Sequence, residues 1–320
     1  MKKPKVDFES VVLSDKKKEQ VKCVLSQHGN RKKIFEEWGF NKIFEKGTAI
    51  SFVFYGIPGT GKTLMAEAIA CHLKQKLLVI GAAEIETQVP GGAERNIKRV
   101  FKVGAGKMSP DGLKEKQGGS PFGNPFSGLM APPTEGAPIG ESNATKPAKH
   151  VILFDECDSL ITNRSHVGMI LASQINTILS ELERFDGVVI FTTNRLGSLD
   201  PALERRISAK VEFEFPNQKL RLAIWKRMIP EECPLGKDVS FERLSKFPMT
   251  GGNIKNVVLN AARDAAYKSL DYIPQRCFID AIEKELEGVA TFEAAIESGG
   301  GVRSAQPDIE RELNEVVVKR

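Results

Sequence analysis

The sequence predicts an α/β fold: a parallel sheet sandwiched by helices, followed by a small all-helical lid domain. Apolar strand candidates alternate with helical patterns up to Pro216, as in sheets wound on both faces. After Pro216 the strand candidates stop and only helical patterns follow. A glycine-rich octapeptide also joins the first strand candidate to the next helix, as in phosphate-binding α/β folds. The 320 residues suit two domains, or one large domain with a satellite.

The individual elements follow from apolar periodicity. Two helices, Asp15–Gln27 and Arg31–Trp38, form a lead-in. The strand candidates are Ile50–Tyr55, Leu77–Ile80, Val151–Phe154, Val188–Thr193 and Val211–Phe215. The helices between them are Thr63–Lys74, Ala93–Val103 and Val167–Leu182, and the lid helices are Gln218–Met228, Phe241–Lys246, Gly252–Lys268 and Gln275–Leu286. We therefore expect a lead-in at 1–47, a core at 48–216, a lid at 217–290 and a tail at 291–320.

One segment interrupts the alternation of strands and helices. Residues 104–149 are roughly one-third Gly and Pro and have almost no aliphatic periodicity. This composition predicts a flexible insertion. Its Phe122 and Phe126 are candidates for a docking motif.

Composition narrows the class of protein. The net charge of +5 is mild, and the basic residues form no long tract, so nucleic-acid binding is not indicated. The five scattered cysteines have no metal-type spacing, which predicts reduced thiols. The sequence shows no secretory signal and no membrane-spanning apolar stretch. We therefore expect a cytoplasmic protein without membrane insertion.

The octapeptide GIPGTGKT fits the phosphate-binding P-loop pattern at every fixed position. Glycines let backbone N–H groups surround phosphates, and the helix that follows presents its positive end to the same anion. Lys62 is expected to reach the β- and γ-phosphates, and the Thr63 hydroxyl to hold Mg²⁺. The predicted nucleotide-binding residues here are Gly56, Ile57, Pro58, Gly59, Thr60, Gly61, Lys62, Thr63 and Leu64.

Two carboxylates and an amide follow other strand candidates. Asp155 and Glu156 end the apolar run from Val151, at the strand end where ligands bind in open α/β sheets. Asp155 is predicted to bind the nucleotide and hold Mg²⁺, and Glu156 to deprotonate the attacking water. Asn194 follows the next strand, where its amide could orient that water without titrating.

Paired arginines occur in the stretch LDPALERR. Arg205 and Arg206 could simply cap a helix or form surface ion pairs. Alternatively, one is an arginine finger, a guanidinium that a neighbouring subunit inserts to offset charge on the γ-phosphate.

These motifs together resemble those of AAA ATPases, within the AAA+ superfamily. GIPGTGKT, VILFDE, FTTN and LDPALERR occur in that family's order and approximate spacing, and the similarity covers residues 6–288 without the insertion. The stretches FVFYGIPGTGKT and RLAIWKRMIP are most similar to compact single-module bacterial or phage members. The lead-in is similar to the family's linker beside adenine, and GGNIKNVVLNAARDAA to its sensor-2 helix.

The resemblance implies a ring, commonly a hexamer, that hydrolyses ATP with Mg²⁺ at each subunit boundary. Asn194 would be sensor 1, with Arg205 and Arg206 the candidate fingers. Arg206 matches the arginine most often inserted across the boundary.

Three positions depart from the family pattern. Ile207–Ala209 intervenes where many members carry a further arginine. Val89-Pro90 replaces the aromatic-aliphatic pair that grips polypeptide, and Val89 offers much less contact area than an aromatic ring. Gly251–Asn253 lacks a sensor-2 arginine, with Lys255 nearby.

The leading hypothesis is therefore an ATP-driven remodeller of a protein assembly. One alternative is a nucleotide-gated structural or adaptor subunit with slow turnover. Another is a clamp-loader-like ATPase acting on DNA, which would require a basic track that the sequence lacks. None of these motifs identifies the substrate.

Overall fold

A computed structural model shows five parallel strands in one sheet. It describes residues 6–43, 48–85, 91–108, 149–158, 169–194 and 199–297. The strands are β1 (Ile50–Tyr55), β2 (Lys76–Gly81), β3 (His150–Asp155), β4 (Val188–Thr193) and β5 (Ala209–Glu212). They lie side by side in the order β2-β3-β4-β1-β5. The sheet confirms the predicted fold class.

This strand order determines where the motifs meet. β3, β4 and β1 are neighbours, with Tyr55 opposite Thr193 and Phe154 opposite Phe191. The residues that follow these three strands therefore emerge together at the carboxyl edge of the sheet. This edge is where open α/β sheets bind ligands.

Helices cover both faces of the sheet and continue after it. Before and between the strands lie α1 (Asp15–Gly29), α2 (Lys62–His72), α3 (Ala82–Ile85), α4 (Gly92–Gly104), α5 (Met169–Arg184) and α6 (Pro201–Glu204). After β5 come α7 (Gln218–Met228), α8 (Phe241–Leu244), α9 (Gly251–Tyr267) and α10 (Gln275–Glu297). A short π-type helix spans Lys32–Glu37, and 3₁₀ turns span Phe8–Ser10 and Phe40–Lys42.

The sheet has a separate apolar core on each face because successive strand side chains point to opposite sides. On β3, Val151 and Leu153 pack on the face that α1 and α2 cover. Ile152 and Phe154 pack on the other face, with α4 and α5. Near-continuous burial along β1, β3 and β4 is the pattern expected of central parallel strands.

A third core lies among the helices that follow the sheet. It contains the fully buried Trp225, whose ring meets Phe278 edge-on at 5.9 Å between centroids. The lead-in contributes to two of the cores. Phe8 belongs to the core beneath α2, and Val12 packs against the core of the final helices. The lead-in thus lies against both the sheet and the lid helices.

The predicted elements agree with the structure apart from their ends. β5 begins and ends earlier than the predicted Val211–Phe215. Its pairing with β1 stops where β1 ends, at Tyr55, whose carbonyl accepts from the Phe213 N–H at 2.7 Å. α10 extends to Glu297, beyond the predicted end at Leu286. The lead-in and lid helices form where the sequence predicted them. The predicted domain boundaries themselves stay a prediction.

Several sequence predictions lie outside the described residues. These are Val89-Pro90, most of the insertion (109–148) and the end of the tail (298–320). The five cysteines are free thiols. Within the described ranges, no helix has the length and apolarity needed to cross a membrane.

Candidate nucleotide site

The P-loop joins β1 to α2 through glycines in backbone conformations that other residues rarely adopt. Gly56, Gly59 and Gly61 have φ angles of 137°, 76° and 99°. A Cβ on Gly56 would also lie 2.2 Å from the Phe213 carbonyl oxygen. The loop can follow this path only with glycine at these positions, so the octapeptide pattern has a steric cause.

Lys62 connects the P-loop to the end of β4. Its Nζ donates to the carbonyl oxygens of Gly56 at 2.6 Å and Ile57 at 3.0 Å, and to Oδ1 of Asn194 at 2.9 Å. The side chain is largely buried. Burial lowers the pKa of Lys62, and nearby Asp158, Asp155 and Glu156 oppose that shift. The lysine is thus held where phosphates would meet the loop.

Asp155 is the centre of a hydroxyl-carboxylate cluster. The Thr63 hydroxyl donates to its two carboxylate oxygens at 3.1 and 3.2 Å. The Thr192 hydroxyl donates to Oδ1 at 2.6 Å. Hydroxyl and carboxylate oxygens are ligands that Mg²⁺ accepts, so Thr63 and Asp155 fit the metal predicted for them.

Glu156 adopts a left-handed backbone conformation with φ of 50°. Such a conformation costs a non-glycine residue about 1–3 kcal/mol and needs support from its surroundings. Here the Glu156 N–H donates to the Thr192 hydroxyl at 2.8 Å. The turn directs the chain out of the strand where Glu156 lines the cavity described below.

These groups line one cavity of about 350 Å³. Loop residues Pro58–Leu64 form one wall, and Asp155, Glu156 and Thr192–Asn194 form the floor. The remaining wall is apolar and basic and comes from the lead-in and the lid; its residues are Ser10, Val11, Val12, Ile224, Arg227, Met228, Gly251, Gly252 and Lys255. The volume lies within the range of small-molecule sites. A phosphate-binding loop beside an apolar recess suits a nucleotide.

The sequence profile of the family described as "ATPase family associated with various cellular activities (AAA)" matches residues 52–113 and 140–215. The chain belongs to the AAA ATPase family. The match supports ATP hydrolysis by this chain, and it covers the P-loop, Asp155, Glu156 and Asn194. The resemblance of the sequence motifs to those of AAA ATPases is confirmed, while the similarity to compact single-module bacterial or phage members stays a prediction.

Known relatives share this region at low identity. A proteasome-activating nucleotidase from Methanocaldococcus jannaschii is 25% identical over 297 residues, which cover 89% of this chain and 58% of that protein. A homologue of 26S proteasome regulatory subunit 8 from Encephalitozoon cuniculi is 26% identical over 296 residues, covering 89% and 64%. An ATP-dependent zinc metalloprotease, FTSH 9 of Arabidopsis chloroplasts, is 28% identical over 249 residues, covering 73% and 26%. The AAA chain thus spans about three-fifths of the first two relatives and about a quarter of the third.

The structure brings most of the predicted site residues together. Pro58–Leu64, Asp155, Glu156 and Asn194 line the cavity of this AAA chain. Gly56 and Ile57 lie just outside it and accept hydrogen bonds from Lys62. The two arginines are elsewhere, and neither lines the cavity.

Arg205 and Arg206 lie near the amino edge of the sheet, where the strands begin. The Arg206 carbonyl accepts a hydrogen bond from the Ser51 hydroxyl at 2.5 Å, near the start of β1. From Ser51 to Tyr55, where the P-loop begins, the strand rises about 13 Å. Because of this separation, an arginine of this pair does not reach the cavity of its own chain.

Two supporting residues were missed by sequence reasoning. Thr192 is buried and supports both Asp155 and the Glu156 turn. Asp158 accepts hydrogen bonds from the Thr193 hydroxyl at 2.5 Å and from the Asn194 N–H at 3.1 Å. The sequence signals were the two hydroxyls before Asn194 and a third carboxylate shortly after Asp155. Neither signal predicts these contacts without the knowledge that β3 and β4 are neighbours.

Proposed function

We propose that this chain binds Mg-ATP, hydrolyses it, and uses the cycle to remodel a protein assembly. The observation that carries this proposal is the convergence of Lys62, Asp155, Glu156 and Asn194 on one cavity beneath the lid helices. Each has a chemically distinct part in phosphoryl transfer. Hydrogen bonds hold the side chains of Lys62, Asp155 and Asn194 in place, which favours catalysis by preorganisation.

In this proposal each residue has a separate role in binding or hydrolysis. Lys62 and the loop N–H groups bind the phosphates. Thr63 and Asp155 would hold Mg²⁺, which neutralises charge developing on the phosphates. Glu156 accepts a proton from the attacking water, and Asn194 orients that water.

The lid connects to the phosphate loop directly. The Gly252 N–H, in the first turn of α9, donates to the Gly59 carbonyl oxygen at 2.9 Å. A Cβ on Gly252 would lie 3.2 Å from the Gly59 Cα, so the two backbones are in close contact. A movement of the P-loop on binding or losing phosphate would therefore also move the start of α9 in the lid. This contact supports a conformational output for the ATPase cycle.

The position of Arg206 supports a shared site between copies of the chain. Since Arg206 lies far from its own cavity, its proposed role as a finger requires the cavity of a neighbour. Head-to-tail contacts of this kind form rings when the rotation between successive copies closes. We propose a homo-oligomeric ring, a hexamer by family resemblance.

The names of the relatives favour a protein substrate. The M. jannaschii relative is a proteasome-activating nucleotidase, the E. cuniculi relative a proteasome regulatory subunit, and the Arabidopsis relative a protease. We extend only the substrate class, a protein or protein complex, to this chain.

Mixing experiments with two variants test the proposal. Glu156→Gln should bind ATP normally and lose hydrolysis, because the amide cannot accept the water proton. Arg206→Ala should bind ATP and hydrolyse slowly in the homo-oligomer. Oligomers mixed from the two should recover part of the turnover, since some boundaries pair an intact Glu156 with a neighbour's intact Arg206.

The exposed Glu232→Gln is the matched control and should behave like the parent. Hydrolysis by Glu156→Gln at the parental rate would refute the role of Glu156. Mixtures without recovery at any ratio would refute the shared site. Immunoprecipitation of the ATP-bound Glu156→Gln protein, with identification of retained proteins, tests the substrate class.

A further inference from the structure

Arg206 is held by its own chain at its backbone carbonyl and at its guanidinium. Its carbonyl accepts from Ser51, as described above. At the other end, Nε and Nη2 donate to Oε1 of Glu183 at 3.1 and 2.5 Å. Nη1 donates to the Ala202 carbonyl at 3.2 Å. The guanidinium is therefore fixed by three hydrogen bonds to α5 and α6.

These contacts leave one side of the guanidinium available. A guanidinium has five N–H donors, and the three bonds use three of them. Glu183 takes the side formed by Nε and Nη2. The remaining N–H of Nη2 and that of Nη1 have no partner among the described residues, and this pair can bind two phosphate oxygens at once. The side chain is 37% exposed, so a second molecule can reach it.

The ion pair contributes little to stability at this location. Both side chains are more than a third exposed, and pairs of this kind typically contribute less than about 1 kcal/mol. The neighbouring Arg205 is exposed, and its side chain makes no hydrogen bond or ion pair with the described residues. Of two adjacent arginines, only Arg206 is thus given a fixed direction. The bonds to Glu183 are therefore better explained by a need to orient the Arg206 guanidinium than by a gain in folding stability.

We propose that Glu183 is a positioning residue that presents Arg206 to the nucleotide of a neighbouring subunit. The inference rests on the proposed function, because it requires Arg206 to act at that boundary. Holding the guanidinium in advance reduces the conformational entropy lost when it meets the γ-phosphate. Glu183 would therefore speed hydrolysis at a site in which it touches neither ATP nor metal.

A double-mutant cycle on steady-state ATPase activity of the full chain tests this. Glu183→Ala should lower kcat about tenfold, with the KM for ATP within about twofold of the parent's, because its own cavity is unchanged. Glu183→Gln should recover part of the loss, since its amide oxygen still accepts from Nε and Nη2. In an Arg206→Ala background, Glu183→Ala should cause no further loss, because there is no guanidinium left to position.

Glu181→Ala, on the same helix, is the matched control and should leave kcat at the parental value. Oligomer size and thermal unfolding of each variant are measured alongside the kinetics. A loss of equal size in the Arg206→Ala background would show a structural role and overturn the inference. Parental or increased kcat in Glu183→Ala, with Arg206→Ala impaired, would overturn it while leaving the shared site intact. Parental kcat in Arg206→Ala would refute the shared site itself, and the inference with it.

Discussion

The two edges of the sheet carry polar clusters of different kinds. At the carboxyl edge, Lys62 and Asp155 are enclosed and bonded to several partners. At the amino edge, Glu183–Arg206 and the Asp186 cluster with Arg31 and Lys149 are about half exposed. The first edge is a site formed within one chain. The second is exposed, and we propose that another copy of the chain binds there.

This difference explains why one chain can hold every predicted catalytic group and still be incomplete. Strands fix the spacing between their ends, so groups at opposite edges stay separated by the rise of β1, about 13 Å from Ser51 to Tyr55. In the proposed ring, Arg206 therefore reaches a nucleotide only when another copy brings its carboxyl edge close. Substitution of Lys62 at the carboxyl edge should therefore reduce ATP hydrolysis more than substitutions at the amino edge that leave Arg206 in place.

Removing Lys62 should have the largest effect. Lys62→Ala loses hydrogen bonds from a cation to phosphate oxygens, each contributing about 1.5–3 kcal/mol. We expect kcat/KM for ATP to fall at least about 100-fold. ATPase assays and titration with a fluorescent nucleotide measure this. Lys102→Ala, an exposed lysine of α4, is the control. Parental affinity in Lys62→Ala would place the phosphates elsewhere.

Removing Asp158 should have a smaller effect on the same edge. Asp158→Ala frees the end of β4, so Asn194 loses the bond that holds its backbone. We expect kcat to fall about tenfold, with a smaller change in ATP affinity, because Thr193 and Asn194 both lose a hydrogen bond to a charged group. Asp158→Asn retains an acceptor oxygen and should recover part of the activity. Equal kcat in Asp158→Ala and parent would contradict this support of Asn194.

Two histidines near the amino edge should affect stability but not catalysis. Burial lowers the pKa of His28 and of His150 below the ordinary value of 6.5, and nearby Lys149 and Arg31 lower that of His28 further, while Asp186 opposes the shift. Lys76 lowers the pKa of His150, and a backbone hydrogen bond opposes it. Below pH 6.5 the folded chain therefore binds fewer protons than the unfolded chain. The contribution of these two histidines to the free energy of unfolding should be fully present above pH 6.5. It should decrease as the pH falls through their lowered pKa values.

Urea unfolding at pH 7 and pH 5 measures this dependence. The double variant His28→Gln, His150→Gln should lose less stability over this interval than the parent. His72→Gln, an exposed histidine of α2, should retain the parental dependence. At pH 7 the double variant should hydrolyse ATP at the parental kcat. An unchanged pH dependence in the double variant would mean that other groups dominate.

Much of the fold was predictable because its signals are local. Apolar runs such as Val188–Thr193 are long enough to identify central strands, and the lid helices have clear start signals. Thr250, for example, accepts from Asn253 in a capping box at the start of α9. Element ends were less predictable. β5 ends early because its partner β1, distant in sequence, ends at Tyr55.

The candidate site followed the same division. GIPGTGKT is a continuous motif with a steric cause, so Lys62 and Thr63 were found from the sequence. Thr192 and Asp158 were not, because their importance depends on β3 and β4 being neighbours. No local pattern marks a threonine that supports a carboxylate on another strand.

The sequence by itself determined the chemistry of this AAA chain: a P-loop, two carboxylates, an amide and a pair of arginines. Their residue types and order along the chain sufficed, since phosphate binding and proton transfer require particular groups. Only the tertiary structure decided which groups act together. The parallel sheet places Lys62, Asp155 and Asn194 at one edge and Arg206 beside Glu183 at the other. The physical reason is that strand order and length fix distances that no short segment of sequence contains.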